Sequence, residues 1–150
     1  RPGWIAAKWV LAAALVCGAS GLVAAGILAA GMLGSSVRPD HALQGEVPAA
    51  LVFSTALRMW LASWLALAVQ FWIALALRSF ALPVLVGISG TFASVVATSA
   101  KFGVYFPWLI PVNILASDPH RHDQALATGI VGGVLVFGFS CWHLARKDWP

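Results

Sequence analysis

Few residues in this sequence can do chemistry, and most of them stand alone. Arg58 and Gln70 interrupt an otherwise apolar run, 49–77. A charge at bilayer depth costs about 2.5–3.5 kcal/mol on insertion scales. The Arg58 guanidinium therefore has two readings. Its long stem can carry the charge back to a polar surface, or it can face the neighbouring helices and line a substrate path. Gln70 poses the same question on a smaller scale, and a helix-to-helix hydrogen bond is its plainer use. Asp118, His120, His122 and Asp123 form a second group. His-x-His with a carboxylate is a metal-ligand pattern, but no further ligand stands at helical spacing, so the expectation is a solvated loop, 117–124, with no metal. Cys17 and Cys141 lie inside apolar runs with no ligand spacing around them and read as small hydrophobes.

Catalytic pairings are missing from the sequence. There is no GxSxG, HExxH or Walker A motif. Ser20, Ser54, Ser63, Ser89, Ser94 and Ser99 have no histidine close by, and no Asp or Glu falls within an apolar run. That argues against intramembrane Ser–His or paired-aspartate hydrolysis and against a carboxylate relay for protons or cations. The expectation is a protein that is not itself an enzyme and holds no cofactor.

Composition explains what surrounds these residues. The chain is 61% hydrophobic and 9% charged, against about 25% charged in a soluble domain. So few charges cannot cover a water-facing surface, whereas hydrocarbon leaves nothing to cover. The net charge is +4, but the cations are scattered singly between apolar runs. They form no patch for nucleic acid and suit helix ends at a membrane surface.

Four runs are long enough to cross a bilayer at about 20 residues each. They are 9–34, 50–77, 80–100 and 125–142. The first carries small residues at four-residue spacing, Gly26, Ala30 and Gly34, and the last carries Gly129 and Gly133. Such ridges let helices approach closely. Polar residues break the chain at 35–48, and Arg78 and Ser79 end the second run, so a tight turn joins it to the third. The segment 102–116 holds Pro107 and Pro111, which break helix continuity, and is short for a straight crossing. With Tyr105, Phe106 and Trp108 it reads as a re-entrant or interfacial hairpin. The expected fold is all-α: one polytopic membrane domain, a bundle of four transmembrane helices plus that hairpin.

Four crossings place both termini on one side. Arg1, Lys8, Arg78, Arg146 and Lys147 share that side, against Arg38, Lys101 and Arg121 on the other. The excess of cations puts the termini in the cytoplasm.

Three stretches resemble the permease subunits of ABC-2-type transporters, in the branch that includes lantibiotic-immunity and bacitracin-export permeases. LALAVQFWIALALRSFALPVL, from Leu65, is similar to the family's fourth span running through a cytoplasmic turn into the fifth. KFGVYFPWLIP, from Lys101, is similar to its extracellular hairpin, and the basic tail 142–149 to its cytoplasmic end. The resemblance covers most of 50–150 and rests on loose, apolar motifs. It implies the last four spans of a six-span permease, a second permease subunit, and a separate ATP-binding subunit that hydrolyses ATP and touches Arg78, Ser79 and Phe80. It also implies that the cargo is hydrophobic, an amphipathic peptide antibiotic in the immunity relatives. The family's N-terminal half has no counterpart here, which fits a partial chain beginning at Arg1. A non-transporting four-helix assembly or scaffold module is the competing expectation.

Overall fold

The computed structural model describes residues 2–37, 48–77, 79–100 and 102–146. They form five α-helices: α1 (Pro2–Val37), α2 (Ala49–Ala62), α3 (Trp64–Ala76), α4 (Ala81–Ala97) and α5 (Pro119–Arg146). Two 3₁₀ segments, Gly103–Tyr105 and Ile110–Leu115, lie between α4 and α5. The fold is all-α among the described residues.

Helix boundaries depart from the sequence expectation in ways that local chemistry explains. α1 extends past 9–34 at both ends and takes in Ser35 and Ser36, whose hydroxyls donate back to the Met32 carbonyl. Capping its own helix this way removes the polarity that marked these serines as loop. The run 50–77 is not one straight helix. It bends by 43° between α2 and α3, at Ser63, whose ψ falls to −8°. There the Ser63 hydroxyl donates to the Trp60 carbonyl at 2.7 Å, and its amide is shared between Met59 and Trp60. This is local tightening without proline.

The polar stretch 117–124 is not a loop. Most of it is the first turn of α5, with Asp118 as the cap: its carboxylate accepts from the His120 amide at 3.0 Å, and Pro119 opens the helix. An aspartate cap before a first-turn proline is a strong helix start.

α1 and α5 are each long and apolar enough to cross a membrane, and the bent pair α2–α3 makes a third such element if it counts as one span. α4 has 17 residues, about 26 Å of helix, shorter than α1, α5 or the α2–α3 pair taken together. The expected count of four spans is therefore met in part, by two to three.

Contacts set the directions. Trp60 Nε1 on α2 donates to the Ala13 carbonyl on α1 at 3.0 Å, and Trp9 stacks on Phe137 of α5 with ring centroids 4.8 Å apart. α1 runs antiparallel to α2–α3, α4 runs antiparallel to α3, and α5 runs parallel to α3. The described ends of α1 and α5 nearest the termini thus lie at one end of the bundle.

Segment 102–116 contains no helix long enough to cross and folds back between α4 and α5. It does more than cover the bundle. Ile110 and Ile114 are buried with Ala62 and Ala125 in the central cluster, against Met59, Leu65 and Leu126. A sequence reading drawn to the aromatics of this segment passes over these aliphatic residues, because nothing in their spacing marks them as inward-facing.

Candidate functional site

The expected site residues do not converge on one centre. Arg58 is exposed on α2 and makes no hydrogen bond or ion pair among the described residues. Every described charged side chain, Lys8, Arg58, Asp118, Arg121, Asp123 and Arg146, is exposed. Two of these cations lie over tryptophan rings at the terminal end of the bundle: Lys8 over Trp4 at 3.8 Å and Arg146 over Trp142 at 4.3 Å. Aromatic faces attract cations in this way.

Gln70 does join helices. With its amide oriented by its partners, the nitrogen donates to the Pro83 carbonyl at 3.2 Å and the oxygen accepts from the Gly87 amide at 3.0 Å. The side chain of α3 thus clips onto one turn of the α4 backbone. Gly87 makes room for it, since a β-carbon there would stand 2.5 Å from the Gln70 amide.

Gly129 and Gly133 seal α5 against the bend. A β-carbon on Gly129 would collide with the backbone of Ala62, and one on Gly133 would stand 2.8 Å from Trp64. The ridge expected to let a helix approach is used here, on the bent pair. Below it, Trp9, Phe71 and Phe137 pack ring to ring, as do Trp72, Phe139 and His143. The other ridge, Gly26, Ala30 and Gly34, meets nothing among the described residues: neither glycine has a described atom within 4 Å of where a β-carbon would sit, and Ala30 is exposed.

Among the hairpin residues, Phe106 and Trp108 pack 5.5 Å apart, and Trp108 lies on α4 at Gly90. Tyr105 is exposed, while Pro107 and Pro111 are half-buried. Phe80, between α3 and α4, is 88% exposed, and Ser79 beside it is half-buried. Arg78 lies outside the described residues, as do Arg1, Arg38, Lys101 and Lys147, the other cations that set the expected orientation.

No family model, curated protein or solved structure matches the chain.

Among the described residues no three His, Cys, Asp or Glu side chains gather where a metal could bind. His122 turns its Nε2 to the Ala116 carbonyl at 2.6 Å and so ties α5 to the hairpin. Asn113 is the polar residue that sequence reasoning missed. It is 8% exposed, and its Nδ2 reaches the Val104 carbonyl at 3.4 Å. Its one sequence signal is an amide two residues past a proline in an apolar stretch, too common a feature to single it out.

Proposed function

We propose that this chain is the membrane-embedded permease subunit of an ATP-driven exporter of the ABC-2 type, in a bacterial cell membrane with both termini cytoplasmic. The carrying observation is the order of directions: α1 one way, α2–α3 back, α4 forward, α5 back, with 102–116 folded between α4 and α5 at the end away from the termini. The resemblance in the sequence implies the same order of span, cytoplasmic turn, span, outer hairpin and final span. The outward apolar faces of α1 and α4, with Leu15, Leu22, Ile27, Leu85 and Phe92 exposed, support hydrocarbon as the surrounding medium. α4 crosses in this reading by local thinning of the bilayer around a short helix.

In this reading the chain has no catalytic residue. ATP hydrolysis belongs to a separate subunit, which docks at the turn carrying Arg78, Ser79 and Phe80. It biases a pair of permease subunits between two arrangements. The cargo is hydrophobic, an amphipathic peptide antibiotic or a similar molecule that reaches the bundle from the membrane. Arg58 is the residue to test for a role in its path.

One observation favours a second reading. No described residue places a charge inside the bundle, and Arg58 faces outward, which also suits a four-helix assembly or scaffold module that transports nothing. Mild-detergent purification of the tagged full-length protein separates the two. Recovery of a stoichiometric ATPase subunit, with export lost on Arg58→Leu, supports the permease. Recovery without any ATPase refutes it and leaves the module.

A further inference from the structure

The end of the bundle away from the termini holds a crevice of about 520 Å³ between the last turn of α4, the hairpin and the start of α5. Its walls differ in sign. On one side is the C-terminal end of α4, the negative end of that helix, with no basic residue in its last turn. The Thr98 and Ser99 hydroxyls there already donate to the Val95 and Val96 carbonyls at 2.6 and 2.9 Å, so this wall accepts hydrogen bonds and does not offer them. Asn113 adds to it. Its Oδ1 has no hydrogen-bond partner among the described residues although the side chain is more than nine-tenths buried. With its Nδ2 engaged by the Val104 carbonyl, the amide is left with its oxygen as a further acceptor for a donor in the crevice. On the other side stands Arg121, exposed, with a guanidinium that makes no ion pair among the described residues. It lies in the first turn of α5, the positive end of that helix.

A ligand for this crevice needs an anionic group for Arg121 and a hydrogen-bond-donating cation for the acceptor wall. The surroundings decide whether it also has a tail. Leu115 lines the crevice and also lines an apolar groove of about 610 Å³ between α1 and α2, bounded by Val16, Ala24, Val52 and Met59. A polar seat therefore adjoins an apolar channel across one side chain. We propose that this is a phospholipid site: an ethanolamine-type headgroup sits in the crevice, its phosphate on Arg121 and its ammonium on Asn113 Oδ1 and the α4 carbonyls, and an acyl chain passes Leu115 into the groove.

The site rests on the membrane reading and is independent of the transporter reading. Native mass spectrometry of the full chain, after exchange into mixed micelles, measures retention of phosphatidylethanolamine against phosphatidylcholine, whose quaternary amine cannot donate, and phosphatidylglycerol, which has no amine. The ethanolamine lipid is expected to be retained about tenfold more strongly, the effect of one charge-assisted hydrogen bond. Asn113→Leu should remove that preference, and the surface change Arg121→Gln should lower retention of all these phospholipids in a chain that stays folded. Equal retention of all three lipids by the native chain overturns the site, as does an Arg121→Gln chain that binds like the native one. Displacement of the lipid by free phosphoethanolamine at comparable concentration also overturns it, because the groove then adds nothing. Flotation of the same sample with liposomes separates these outcomes from failure of the membrane reading: a chain that floats but does not discriminate loses only this site.

Discussion

Two small-residue ridges with the same spacing meet opposite fates in this molecule. Gly129 and Gly133 bring α5 so close to Ala62 and Trp64 that no β-carbon fits between them. Gly26 and Gly34, on either side of Ala30, meet no described atom within 4 Å. Spacing makes close approach possible, but a partner helix has to pass at that height. The bend at Ser63 delivers one to α5. The far half of α1 packs on α2 around the buried Ala24, but its ridge from Gly26 to Gly34 meets no partner helix among the described residues.

The largest effect that would break this comparison comes from filling the sealed ridge. Gly133→Leu forces a side chain into the Trp64 backbone and should lower stability in detergent by about 1–3 kcal/mol, as overpacking does, read as an earlier thermal unfolding transition. Gly26→Leu in the open ridge is expected to leave that transition in place. An equal loss at both positions would mean that α1 is packed along its full length.

Gln70→Leu comes next. It removes the clip between α3 and the Pro83–Gly87 turn of α4, with an expected loss of about 0.6–1.7 kcal/mol, the range of interhelical hydrogen bonds in membranes. Faster amide exchange at Gly87 and its neighbours on α4 is the readout, and unchanged exchange would show that the aliphatic contacts hold α4 by themselves. Ser63→Ala should have the smallest effect, about 0.5 kcal/mol or less. It removes a hydroxyl bond to the Trp60 carbonyl but leaves the Gly129 seal that needs the bend. A distance between spin labels at residues 53 and 75 that lengthens markedly would instead assign the bend to the serine alone.

The all-α class, the long apolar helices α1 and α5 and the broken helix of 102–116 were legible in the sequence, because long apolar segments and prolines act locally. So was the pairing role of Gln70, since an amide in an apolar helix has few other uses. The bend at Ser63 was not legible: a serine that bonds to its own helix looks the same in sequence whether the helix bends or stays straight. The start of α5 was hidden for a different reason. His120, Arg121, His122 and Asp123 have a loop's composition, and only the Asp118–Pro119 cap says otherwise. The aliphatic core of the hairpin packs with Ala62 and Met59 of α2, about 50 positions earlier in the chain, and with Ala125 of α5, and no local pattern encodes that.

The central claim is that α1 lies in hydrocarbon, and Cys17 tests it most directly. Its side chain is exposed on the surface of the chain, midway along α1. In a Cys141→Ala background, membranes treated with a charged, membrane-impermeant maleimide should leave Cys17 unlabelled until detergent denatures the protein, because hydrocarbon excludes the charged reagent. Rapid labelling of Cys17 in intact membranes, or recovery of the chain as a detergent-free monomer in the aqueous fraction, would contradict the account.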